Sequence, residues 1–514
     1  MKNTVLALLA SLLVAVLPLE AQAGLSAMSS SPSGPLSANK LSVTVVADTA
    51  DNDVPKSVWV AAYVPNVGFF FHNANNQWVA WNGGTMPALQ TTSANTVTID
   101  ALGGSLDLRG LPGTQVYVGF AQSSSEMLSN GDYTLVYTVP ANVNNVTPII
   151  IDSGPAVTVS SGGSQNNLAY VTVKICVPGT TTCTYVDHIQ VDTGSEGLRI
   201  LSAALDPAFS AQLPQRVDSQ ARPIGECLEF VDGYVWGSVR SADFTIGGEQ
   251  VSSMPIQLVD ASFSGGAPTE CSSSGGHAEN DIATFGANGI IGIGPQLYDC
   301  GTTCVRSATL QYYGCVGGVC TEAALPLANQ VPNPVAMFAN DNNGTIIELP
   351  AAPVTGEQST TGTLVFGIGT QSNNGLGSAS VYTISAQGMF NTTYKSVVYK
   401  SSYVDSGTSI LSFPDSSIPQ CSATNTFFCP TSTLNLSAVN TGLNGVSGTV
   451  QFSVANTNNL NGAYAVLPAL AVAGSSSTSL GGFAWGLPFF YGKNVYTALP
   501  GRSTPGGTGP YFAY

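Results

Sequence analysis

Two short segments repeat one pattern 213 positions apart: Val191-Asp192-Thr193-Gly194-Ser195 and Val404-Asp405-Ser406-Gly407-Thr408. In each, an apolar strand residue precedes an aspartate, then a hydroxyl residue, a glycine and a second hydroxyl residue. Apolar residues resume afterwards, Leu198 and Ile200 in the first copy and Ile410 and Leu411 in the second. Two carboxyls about 3 Å apart cannot both ionise, so they share a proton. One then activates water while the other protonates a carbonyl oxygen, the acid/base work of peptide hydrolysis. Gly194 and Gly407 would let backbone approach backbone. The hydroxyls of Thr193 and Ser406 are expected to bond across to the opposite loop. Those of Ser195 and Thr408 are expected to bond the adjacent carboxylate. Asp152-Ser153-Gly154-Pro155 is a decoy, since proline replaces the second hydroxyl residue. A pair of ordinary Asp-Gly turns is the plainer alternative, and repetition in matching strand contexts weighs against it.

Such loops need strands to hold them, and the composition supplies strands. The 514 residues include 56 Gly and 30 Pro, only 9% are charged, and the net charge is −16. Helices would lack their usual solvated faces, so a mostly β chain of short strands and turns is expected. A hydrophobic content of 44% argues against disorder. The acidic balance excludes nucleic acid as a natural partner, because phosphate binding needs Lys and Arg.

Residues 1–23 read as a signal peptide: a basic start at Met1-Lys2-Asn3, an apolar run from Leu6 to Leu17, and Ala21-Gln22-Ala23 before the cut. No later stretch is apolar for long enough to span a membrane, so none is expected in the mature chain. Residues 24–40 are expected to be a flexible start, 41–140 a β-sandwich, 141–167 a linker with one embedded strand, Thr147–Ile151, and 168–514 a second β region. The aromatic stretches Gly68–His72 and Trp78–Trp81 suit core packing, with carbohydrate binding as the rival use.

Ten cysteines in an export context imply disulfides. Cys176/Cys183, Cys300/Cys304, Cys315/Cys320 and Cys421/Cys429 are close pairs, and Cys227 with Cys271 is the remainder. Crossing between the 300–304 and 315–320 groups stays open. The three histidines, His72, His188 and His277, sit at no ligand spacing beside a cysteine pair, so no metal is expected.

The two Asp segments resemble the active-site loops of pepsin-like aspartic peptidases. Asn288–Gly294 is similar to the segment threading behind the first Asp loop, Gly362–Gly367 to the strand opening the second lobe, and Ala484–Gly486 with Pro488–Tyr491 to the second threading segment. The resemblance covers roughly 165–500. The whole chain also resembles an uncharacterised family of exported proteobacterial proteins. The resemblance implies a two-lobed pepsin-like domain over 168–514, Asp192 and Asp405 as the catalytic pair, a polypeptide substrate and no cofactor; the export signal implies the periplasm or the outside of the cell, and a monomer is expected.

The sequence departs from that family in its flap, the hairpin that carries a tyrosine over the cleft. Glu229–Gly237 is the corresponding stretch, with Phe230 at the tyrosine's place and Tyr234 or Trp236 as substitutes. Glu196 and Arg199 replace less charged or aromatic residues, either as a surface ion pair or beside the cleft. A pepsin-like fold without hydrolysis, serving as a binding or envelope module, and an adhesion protein using the sandwich are the alternatives.

Overall fold

The computed structural model describes residues 25–33, 39–47, 54–64, 67–104, 106, 108, 111, 113–139, 145–160, 165–231, 233–274, 276–371, 373–422, 424–474 and 482–514. The expected signal peptide lies outside the described residues. The chain is mostly β and divides into two compact units, Met1–Asn142 and Val143–Tyr514.

The first unit is a sandwich. One sheet joins Leu25–Ser33, Lys40–Ala47 and Thr96–Asp100; the other is six-stranded and centred on Lys56–Val64 and Gln115–Ala121. Leu41, Val43, Val45 and Ile99 of the first sheet pack on Val58, Val60, Val116, Val118 and Phe120 of the second. Alternate residues of one strand therefore share a face, as the strand period requires. Trp59, Phe71 and Met127 form a second cluster with Trp81, and that cluster absorbs part of the aromatic stretches. Leu25–Ser33, expected as a flexible start, is instead a strand antiparallel to Lys40–Ala47. Its Ser/Pro composition is compatible with an edge strand, where a proline costs no ladder bond.

The stretch expected as a linker is also corrected. Strand β1 (Val146–Ile151) pairs along its length with β10 (Thr360–Phe366) of the second unit. Ile149 and Ile151 are fully buried there, so hydrophobic burial recruits the segment into the core. The strands that matter for the site follow: β2 (Tyr170–Cys176), β3 (Cys183–Asp192), β4 (Glu196–Leu201), β5 (Ile224–Glu229), β6 (Gly233–Ile246), β7 (Glu249–Val259), β8 (Gly289–Ile293) and β9 (Tyr312–Val316). After β10 come β11 (Val397–Val404), β12 (Leu411–Phe413), β13 (Ala471–Ala473) and β14 (Ala484–Trp485).

Two halves of this unit share one topology. β8 threads between β3, parallel, and β4, antiparallel, and β4 runs parallel to β7. β14 threads in the same way between β11, parallel, and β12, antiparallel, and β12 runs parallel to β13. The registers match as well. Ile291 lies opposite both Val191 and Leu198, and Trp485 lies opposite both Val404 and Leu411. One continuous core joins the halves, from Val191, Leu198 and Ile291 to Val404, Leu411 and Trp485.

Five disulfides join Cys176–Cys183, Cys227–Cys271, Cys300–Cys304, Cys315–Cys320 and Cys421–Cys429. The two groups that could have crossed do not.

Candidate active site

Asp192 is the last residue of β3 and Asp405 directly follows β11, and the two strand ends meet. Thr193 N donates to Ser406 Oγ at 3.1 Å, and Ser406 N donates to Thr193 Oγ1 at 2.9 Å. Ser406 Oγ donates onward to Val191 O at 2.8 Å, and Thr193 Oγ1 to Val404 O at 3.4 Å. Both side chains are buried, Thr193 at 1% and Ser406 at 0% exposure, so each hydroxyl depends on the other loop for its partners.

The carboxyls are held by a repeated local scheme. Gly194 N donates to Asp192 Oδ1 at 2.7 Å and Gly407 N to Asp405 Oδ1 at 2.7 Å. Ser195 Oγ donates to Asp192 Oδ2, and Thr408 Oγ1 to Asp405 Oδ2 at 2.7 Å. The two carboxyls face each other across the meeting loops, close enough that the charge of each acts on the other. Burial first, then the charge of Asp405, push the Asp192 carboxyl well above the usual carboxylate range. The close approach explains the glycines: a Cβ on Gly194 would stand 2.7 Å from Asp405 Cγ.

The structure thus brings together Asp192, Thr193, Gly194, Ser195, Asp405, Ser406, Gly407 and Thr408. It places the flap aromatics elsewhere. β5 and β6 form the hairpin, with Glu229 opposite Tyr234 and Cys227 opposite Trp236. Phe230 packs edge-on against Phe285, next to Val235 and Ile282. Tyr234 and the fully buried Trp236 point into a cluster with Cys227, Cys271 and Tyr313. The Trp236 indole donates to Phe263 O at 3.0 Å. The hairpin register turns both onto the face that the Cys227–Cys271 disulfide packs.

Arg199 is another correction, since it is neither at the surface nor paired with the Glu196 carboxylate. Its side chain is 1% exposed and lies 2.6 Å from Glu226 and 2.9 Å from Asp299. The Glu196 carboxyl is pushed up to about 8, chiefly by burial.

Sequence reasoning missed two supporting amides. Gln190 Nε2 donates to Gly407 O at 3.0 Å, another bond between the Asp loops. Asn167 is fully buried; it donates to Ser409 O and Leu467 O and accepts from Leu467 N and Tyr491 Oη. A lone amide in a polar stretch carries no local signal of such a role. The decoy Asp152 instead faces His188, whose Nε2 lies 3.3 Å away. Its two aspartate neighbours, Asp152 and Asp187, outweigh burial and hold the imidazole up at about 9.

A family model described as Protein of unknown function (DUF3443) matches residues 141–514. No curated protein matches the chain. Among solved structures, the crystal structure of an aspartic proteinase from Irpex lacteus is similar at 17% identity and a TM-score of 0.41, over 72% of this chain and 96% of that one.

Proposed function

The chain belongs to the family described as Protein of unknown function (DUF3443), and we propose that it is an exported aspartic endopeptidase with Asp192 and Asp405 as its catalytic pair. The observation that carries this reading is the reciprocal Thr193–Ser406 bonding that closes the two Asp loops on each other. A neutral acid and a carboxylate, held side by side and partly buried, form a preorganised general acid and general base.

The ionised member takes a proton from a water molecule as that water's oxygen attacks the peptide carbonyl carbon. The protonated member gives its proton to the carbonyl oxygen. The tetrahedral diol then collapses: the C–N bond breaks, the proton gained by the base passes to the leaving nitrogen, and a diol hydroxyl returns a proton to the other aspartate as the carboxyl group forms. Ser195 and Thr408 keep the outer carboxylate oxygens aimed throughout. Five disulfides and a sequence-level signal peptide support export to an oxidising compartment.

The placement of Tyr234 and Trp236 inside the hairpin's packed face favours a second reading, a pepsin-like binding module without hydrolysis. Digestion of a denatured polypeptide from pH 2 to 7, with and without a transition-state peptide inhibitor, separates the two. Cleavage blocked by the inhibitor is expected. Complete inactivity of the folded protein across that range would assign it to binding.

A further inference from the structure

Arg199 shares one buried site with two acids and a phenol from four separate segments. Its Nη1 donates to Glu196 O at 2.5 Å, the carbonyl directly after Ser195. Its Nη2 donates to Glu226 Oε1 on β5 and to Asp299 Oδ2 beyond β8. Tyr312 on β9 donates its hydroxyl to Asp299 at 2.7 Å and accepts from Val331 N at 2.8 Å. Gln257 on β7 donates to Glu226 O at 2.8 Å. Burial, then the charge of Glu226, push the Asp299 carboxyl well above its ordinary range.

Such a cluster is a poor device for stability alone. Desolvating a guanidinium and two acids costs as much as their attraction returns, and apolar groups of similar volume often serve a core better. What the charged version adds is direction. The planar fork fixes three acceptors at set angles.

We propose that Arg199 is a positioning residue: it braces the loop that carries Asp192 against the hairpin strand β5, and so fixes where a bound polypeptide lies relative to the acid pair. One hand of the guanidinium holds the backbone next to Ser195, whose hydroxyl orients Asp192. The other holds Glu226, three residues before the end of β5, from which the hairpin turns. The kinetic part of this proposal rests on the peptidase reading, and the brace itself rests on the geometry.

The test uses the full chain at pH 4 with Arg199→Met, Glu226→Leu, the double variant and Arg199→Lys. Glu226→Leu leaves a one-to-one Arg199–Asp299 pair. Each single variant should lower kcat on the order of 10²-fold, the effect of a small misplacement, with KM changed far less. The double variant should be no worse than either single one, since both cut one brace. Arg199→Lys, with its charge but no fork, should fall between. Hydrogen exchange should quicken in 193–199 and 224–237 and stay unchanged elsewhere. Additive losses, or wild-type kcat together with wild-type exchange in those segments, would overturn the proposal. Exchange quickened throughout the unit at unchanged kcat would also overturn it, leaving a role in stability only. Should Arg199→Met not fold, Glu226→Leu and Arg199→Lys are read by the same criteria. If the wild type cleaves nothing, the peptidase reading falls, and local exchange alone decides the brace.

Discussion

Thr193 and Ser406 each donate a backbone N–H to the other's hydroxyl, at 3.1 and 2.9 Å. These two residues stand 213 positions apart in the chain, and each is fully enclosed. The pair closes the two threaded triplets on each other and puts their aspartates in contact. The predictions below start from that closure.

Asp192→Asn and Asp405→Asn should each abolish nearly all peptide cleavage, by 10³-fold or more. That is about 4 kcal/mol of barrier at 1.36 kcal/mol per decade. The double variant should be hardly worse, because the pair acts as a unit. Asp152→Asn, beside His188, should cleave at the wild-type rate. Initial rates on one peptide, with circular dichroism to confirm folding, decide this. A folded dyad variant with the wild-type rate would exclude the mechanism.

Gly194→Ala tests the closeness of the two loops. The added methyl would sit 2.7 Å from Asp405 Cγ and 2.8 Å from both of its oxygens, so one loop must retreat. Overpacking of this kind costs about 1–3 kcal/mol. Chemical denaturation should show that loss, and cleavage should fall on the order of 10²-fold. An alanine variant of wild-type stability would mean that the loops are less tightly apposed.

Stability should decline as pH rises from about 5 to 8. Glu249 is pushed up to about 7 by burial and by Asp341, and Glu196 to about 8 by burial. Asp192 and Asp299 are raised in the same direction. A folded-state pKa above the unfolded value gives stability that is complete below the unfolded value and lost as pH rises through the folded one. Asp415 has the opposite sign: hydrogen bonds from Ser417, Lys395 and Tyr394 overcome burial and hold it near 2, so its contribution is lost only in strong acid. Tm measured against pH should be greatest near pH 4 and should fall progressively from about pH 5 to 8. A Tm that climbed through pH 8 would contradict these assignments. Cleavage should fall in the same direction as the acid pair loses its last proton.

Removing the Cys227–Cys271 bond should cost more than removing any other. It spans 44 positions, against 4 to 8 for the rest. The loop-closure model gives about 4 kcal/mol for it and about 2–3 kcal/mol for the short ones. Because Cys227 pairs across the hairpin with Trp236, loosening should appear there first. Urea denaturation of the paired serine variants ranks the bonds; a short loop with the larger cost would contradict the ranking.

Much of this architecture was legible along the chain. The Asp-hydroxyl-Gly-hydroxyl segments, the apolar threading runs and the close cysteine pairs are local patterns whose chemistry does not depend on distant partners. The strand-and-turn composition fixed the fold class for a similar reason, since the charges needed to solvate helices are absent. Three features were decided only in the folded molecule. The register between β5 and β6 turned Tyr234 and Trp236 onto a buried face, where one residue of slip would have turned them outward. For Arg199 the sequence left open a surface ion pair or a place beside the cleft, and only the fold closed β5, β9 and the segment after β8 over it with Glu226, Tyr312 and Asp299. Val146–Ile151 read as part of a linker until β10 supplied its hydrogen bonds. In each case the deciding energy is long-range: burial and pairing depend on which segments meet, and spacing along one strand cannot encode that.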